Sequence, residues 1–175
     1  MSTIKPKKWV RFAVVLVAMG FSTLAMAAVQ VDLQVSGSDL VVTRNSAQCA
    51  DEPITCIDVE HGSNPHLFFN LKGACGDSGS DYRLKAFRIG MQNKVWPTPS
   101  TPLPAHVAKD FNADPQTGYV DLGAGNNQLS DKTIKLKDHN RTAYTVYYEV
   151  TASHCTDTTA PDIRLDPRIR NGGNN

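Results

Sequence analysis

Thr142-Ala143-Tyr144-Thr145-Val146-Tyr147-Tyr148-Glu149-Val150-Thr151-Ala152 is the stretch whose pattern decides the fold. Tyr144, Val146, Tyr148 and Val150 fall on one face of an extended chain, because successive side chains of a strand point to opposite sides. Aromatic and β-branched residues fill it, the types that suit a pleated, half-buried surface. The same period of two runs outward from it. Val29, Val31, Leu33 and Val35 alternate with Gln30, Asp32 and Gln34, and Gly37-Ser38 turns the chain into a second strand over 39–44. Residues 56–59 form a short strand, and His66–Lys72 alternates Leu67, Phe69 and Leu71 before Gly73 ends it. Residues 82–91 begin on Tyr82, Leu84 and Ala86, then change phase to Phe87, Ile89 and Met91, which predicts a β-bulge. Short strands are expected at 119–122 and Thr133–Lys137, and the one helical candidate is Ala105–Phe111. The spacing predicts an all-β domain of about eight strands, with turn signals near the ~8–12 residue interval of sandwiches and barrels.

The first 27 residues read differently. Lys5, Lys7, Lys8 and Arg11 precede an apolar run, FAVVLVAMGFSTL, which ends at Ala25-Met26-Ala27. A basic start, an apolar centre and an A-x-A end describe a secretory signal peptide of bacterial type cleaved after Ala27. Polar Ser22 and Thr23 interrupt the run short of the ~20 apolar residues that a membrane span requires. The whole chain has 175 residues, 18 basic and 17 acidic, net +1. Four of the basic residues lie in the leader, so the 148-residue remainder carries 14 basic and 17 acidic groups, net −3. With 41% hydrophobic residues the whole chain is too apolar to be disordered. Its mild acidity gives no electrostatic reason to bind nucleic acid or anionic lipid. The expected organisation is a signal peptide over 1–27 and a single disulfide-stapled domain over 28–160. An edge strand and a disordered tail would follow over 161–175.

Cys49, Cys56, Cys75 and Cys155 have no C-x-x-C spacing, so in an exported chain they read as two disulfides and not as a metal or redox centre. Three pairings are open. Cys49–Cys56 is preferred because Pro53 helps reverse the chain between them, which leaves Cys75–Cys155 to tie the middle of the chain to its last long strand.

Residues 136–146, LKDHNRTAYTV, resemble the corner that enters a late strand of immunoglobulin and fibronectin type III domains. An apolar residue, a polar turn and a tyrosine there precede an alternating strand. The resemblance implies an immunoglobulin/fibronectin-like β-sandwich in which the Tyr144 hydroxyl bonds back to the corner backbone. The immunoglobulin disulfide spacing around a central tryptophan is not matched, since the mature chain keeps only Trp96. A small antiparallel β-barrel is the alternative architecture.

Two segments suggest binding surfaces. Trp96 opens WPTPSTPLP, with four prolines in nine residues, an extended segment that serves either as a rigid loop with Trp96 as an aromatic anchor or as a plain crossover. Ile163, Leu165 and Ile169 alternate with charged residues, and Pro167 confines that strand to an edge. There it closes the sheet or pairs with a partner by β-augmentation. The closing residues 171–175, NGGNN, are expected to be disordered.

Two chemistries compete with plain binding. Cys75-Gly76-Asp77-Ser78-Gly79 and Thr151-Ala152-Ser153-His154-Cys155 resemble the segments around the serine and histidine of chymotrypsin-like proteases. The resemblance makes Ser78 a nucleophile and His154 its base. The chain order is reversed, Ser80 and Asp81 stand where that family has glycine and proline, and no aspartate is assigned to orient His154. His61 and His66 flank the turn Gly62-Ser63-Asn64-Pro65 and offer two ligands for a weak periplasmic metal site, short of the three or four a functional site uses. Asp39, Glu52, Asp58, Glu60, Asp114, Asp121 and Glu149 are spread singly and suggest no carboxylate pair for glycoside hydrolysis. The expected function is therefore a binding or structural module of the cell envelope, periplasmic or secreted, without catalytic activity or cofactor. Its partner would be an envelope protein or polymer.

Overall fold

The computed structural model describes residues 28–171, apart from 51–52, 61, 78–80 and 92–93. The leader at 1–27, Ser78, His61 and the last four tail residues therefore lie outside the described residues. The strands are β1 (Val29–Ser36), β2 (Asp39–Asn45), β3 (Ile57–Val59), β4 (His66–Lys72) and β5 (Tyr82–Gly90). After helix α1 (Ala105–Phe111) come β6 (Gln128–Leu129), β7 (Thr133–Lys137), β8 (Tyr144–His154), β9 (Ile163–Leu165) and β10 (Arg168–Asn171). They form one sheet in the order β2-β1-β4-β7-β6 and a second in the order β3-β10-β8-β5, with β9 also paired to β8. Among the described residues the protein is thus all-β but for one short helix. Each sheet contains one parallel pair, β1 with β4 and β10 with β3, so neither is the purely antiparallel ribbon of the barrel alternative.

The two sheets share one core, because alternation sends the apolar half of each strand inward. Val31 and Leu33 of β1, Leu67 and Phe69 of β4, Phe87 and Ile89 of β5, and Val146, Tyr148 and Val150 of β8 are all buried. Phe69 from the first sheet meets Phe87 and Tyr148 from the second at centroid distances of 5.0 and 5.3 Å, and Phe87 stacks on Tyr148 with 9° between the ring planes. Tyr148 reaches a partner for its hydroxyl, which donates to the Thr55 carbonyl at 3.2 Å. A buried phenol without such a partner would lose stability, since desolvating the hydroxyl goes uncompensated.

The phase change in β5 is a bulge: the pairing with β8 shifts register between Leu84 and Ala86, and Lys85 is the extra residue. That slip returns Phe87 and Ile89 to the core and turns Arg88 to the opposite face. Residues 119–122 make no strand; they contribute only the isolated bridges Arg88↔Tyr119 and Ala113↔Val120. Helix α1 spans the expected residues and stops at Asn112, which takes a left-handed φ of 55°. The two disulfides are Cys49–Cys56 and Cys75–Cys155, with Cα separations of 5.5 and 5.9 Å. They fit an oxidising, non-cytoplasmic compartment. No helix among the described residues is long and apolar enough to cross a membrane.

The C-terminal segment departs from expectation. It divides at Pro167 into β9 and β10, and β10 lies between β3 and β8. Ile169 is fully buried and Ile163 nearly so, while Leu165 is half-buried against the same core. Ile163 and Ile169 are therefore core residues and β10 is an interior strand, whereas β9 pairs with β8 alone. Proline is tolerated because its missing donor falls at the break between the strands, where its carbonyl still accepts from Tyr148 N at 2.9 Å. Asn171, expected in the disordered tail, is a buried strand residue. The domain accordingly continues past residue 160 through β10.

Candidate functional site

The face of the second sheet turned away from the core carries the most distinctive surface. Directly opposed residues of a sheet share a face. The pairings Arg88↔Glu149, Gly90↔Tyr147, Arg168↔Tyr147 and Arg170↔Asp58 therefore lay out one outer surface. Trp96 lies on it: a Cβ added at Gly90 would come within 2.8 Å of the indole, so only glycine lets the ring settle against β5. Arg88 stands beside it, its guanidinium 4.8 Å from the Trp96 ring centroid and 5.2 Å from that of Tyr119. The Arg88 Nε donates to the Thr117 carbonyl at 2.7 Å, which fixes the plane between the rings. Gly118 brings the Tyr119 loop this close. It has a φ of +77°, and a Cβ there would sit 2.2 Å from the Ile89 carbonyl oxygen. Tyr119 is 46% exposed, and neighbouring Val95 47%.

The surface continues across Tyr147, over which the Lys94 ammonium lies at 5.9 Å from the ring centroid. Glu149 is buried beneath Arg164, whose Nη1 is 3.5 Å from Glu149 Oε2. Arg170 pairs Asp58 at 2.9 Å. With both acids engaged, the face presents cations and aromatic rings on a domain that is acidic as a whole. Trp96 was legible from its proline-rich setting. Tyr147 could have been found from the alternation of β8, whereas Arg88 needed the bulge and Tyr119 needed the fold of its loop.

Of the other sequence candidates, Ser78 and His61 lie outside the described residues, while His154 and His66 are described. His154 ends β8, and its Nδ1 accepts the backbone N–H groups of Thr156 and Asp157 at 3.3 and 2.9 Å. In the neutral ring that places the proton on Nε2, the reverse of what a histidine needs to take a proton from serine. It lines an open cleft of about 500 Å³ whose wall mixes charged groups, among them Arg83, Lys85, Asp131 and Asp157, with Leu84 and Leu129. Asp157 is held below the ordinary carboxylate range, first by its hydrogen bonds from Thr159. His66 begins β4 with its Nε2 buried and without a partner. Burial, then Lys137 and Lys135, push its pKa down, and those two ammonium groups oppose a cation there. No group of three or more His, Cys, Asp or Glu is arranged to hold a metal among the described residues.

A second, buried polar region went unnoticed in the sequence. Residues 138–141 turn beneath α1 and against β10. The Tyr144 hydroxyl, which the corner resemblance sends to the backbone, donates instead to Asp110 Oδ2 of α1 at 3.0 Å. The His139 and Arg141 amides donate to the Asp110 carbonyl and carboxylate at 3.2 and 3.3 Å, so the corner is closed by one residue of α1. Asp138 Oδ1 accepts from the Asn140 amide at 2.9 Å and from Asn171 Nδ2 at 3.3 Å. Burial pushes the Asp138 carboxyl up to about 7 against these bonds, and raises the Tyr144 hydroxyl as well. No protein-family model matches the chain, and no curated protein matches it.

Proposed function

We propose that the chain is an exported protein of the bacterial envelope, periplasmic or secreted, acting as a non-catalytic binding module on an immunoglobulin/fibronectin-like β-sandwich. The observation that carries the reading is the Trp96–Arg88–Tyr119 stack on the outer face of the second sheet. Tryptophan, tyrosine and arginine dominate the energetic centres of protein interfaces, because each offers a large, stiff contact area with a polar edge. The stack is held before any partner arrives, by Gly90, Gly118 and the Thr117 carbonyl, so little side-chain freedom remains to be lost on binding. Excess cations around it favour a protein partner with an acidic patch. The two disulfides and the leader-like residues 1–27 support the compartment.

The test is capture from envelope extracts by the tagged mature chain, compared with Trp96→Ala and Arg88→Ala. The expected result is a protease-sensitive partner retained by the native chain, lost with either variant, and weakened by salt. Retention by both variants, or a partner resistant to protease and removed by glycan-degrading enzymes, overturns the assignment of this face to a protein. Turnover of a model peptide, ester or glycan that disappears on a single substitution such as His154→Ala overturns the non-catalytic reading.

A further inference from the structure

The corner at 138–141 leaves a specific chemical deficit. Asp110 Oδ1, Asp138 Oδ2, Asn140 Oδ1 and Asn171 Oδ1 are each buried without a hydrogen-bond partner. The four residues are 1%, 0%, 0% and 2% exposed. Buried polar atoms are nearly always paired, because each orphan forfeits its hydration. All four here are oxygens, and the nearby donors bond elsewhere. Asn171 Nδ2 is given to Asp138, Asn140 Nδ2 to the Glu60 carbonyl, and the Tyr144 hydroxyl to the other oxygen of Asp110. Lys137 Nζ donates to the Asn64 carbonyl, and Arg141 Nε stays 4.0 Å from Asp110 Oδ1, beyond hydrogen-bond reach.

We propose that this cluster is a hard-cation site that takes one Ca²⁺. A proton on one carboxylate supplies a single donor and a water supplies two, so neither alone satisfies four acceptors. A cation can accept electron density from several such oxygens at once. Two carboxylates and two amide carbonyls form the mixed oxygen set that Ca²⁺ uses, with a charge that offsets the ion's. Mg²⁺ holds its waters and demands a stricter octahedron, and nitrogen- or sulfur-seeking metals find no ligand of their kind in the set. Asp110 gives an independent reason for a positive charge here. It lies in the last turn of α1, where the carbonyl end of a helix already disfavours an anion. A bound ion would join α1, the corner and β10, the last strand of the domain.

The test uses the mature chain after chelation and dialysis. Ca²⁺ is expected to raise Tm. Tb³⁺ is expected to luminesce on tyrosine excitation, with Tyr144 hydrogen-bonded to a ligand carboxylate, and to be displaced by Ca²⁺. Asp138→Asn should abolish both responses while near-ultraviolet circular dichroism confirms that it folds. Tyr144→Phe should keep the Ca²⁺-dependent rise in Tm and weaken the luminescence, which separates ligand from antenna if Asp138→Asn does not fold. No rise in Tm at about 1 mM Ca²⁺, the weak end of the range of extracellular calcium modules, overturns the proposal. A rise that survives in folded Asp138→Asn overturns it as well.

Discussion

At its last residue β8 is held covalently: Cys155 follows His154 and is bridged to Cys75, while the Cys155 amide donates to the Asp81 carbonyl at 2.6 Å. At its first residue, the same strand has a polar hold in place of a covalent one, through Tyr144 to Asp110 and, alongside, Asn171 to Asp138. The covalent end lies at the surface among exposed turns, where few apolar contacts are available. The polar end is buried, where a hydrogen bond is electrostatically strong but an unsatisfied group is costly. A disulfide tolerates solvent; a carboxylate network needs every oxygen answered. Between the two, Tyr148, Val150 and Ala152 belong to the apolar core.

Opening the covalent end should have the largest effect. The Cys75–Cys155 bridge spans 80 residues, so Cys75→Ser with Cys155→Ser should cost about 4.5 kcal/mol by loop entropy, measured by denaturant unfolding. The same substitutions at Cys49 and Cys56, only seven residues apart, should cost about 2.4 kcal/mol, and equal losses would deny the entropic account. Tyr148→Ala, in the middle of the strand, should cost about 4 kcal/mol by emptying the contact with Phe69 and Phe87. At the polar end Tyr144→Phe should cost about 2 kcal/mol, since it removes a bond to a buried carboxylate. A cost as large as that of the long bridge would make the polar network the stronger hold.

The smallest expected effect lies beside the polar end, at His66. Its folded pKa is depressed below 6.5, so the neutral ring is favoured by folding. Its contribution is complete above pH 6.5 and declines as pH falls through the unfolded value toward the lower folded one. His66→Gln should flatten the Tm-against-pH curve on the acid side of 6.5 and leave it unchanged above.

The alternating strands and the bulge were readable in the chain because strand period and burial are local properties. Val29 through Val35, Leu67 through Leu71 and Tyr144 through Val150 each carry their own pattern. The Ile163–Ile169 segment misled because its alternation fits an edge and an interior strand equally well. Whether β3 covers its free side depends on a residue over 100 positions away, Asp58 for Arg170. Of the candidate surface, Trp96 announced itself by rarity and by its prolines. Arg88 and Tyr119 are ordinary residues made distinctive only by the loop that stacks them.

By itself, then, the amino-acid order determined the all-β class, the short helix and the side of most strands that turns inward, since each depends on neighbours within a few residues. The tertiary structure decided the parallel pairings, the burial of the C-terminal strand, the outer aromatic face and the gathering of Asp110, Asp138, Asn140 and Asn171. Those depend on which distant segments pack together, and no local period encodes that choice. The buried oxygens show it most clearly: two aspartates and two asparagines that read as turn residues in the chain become one cluster only when α1, the corner and β10 meet.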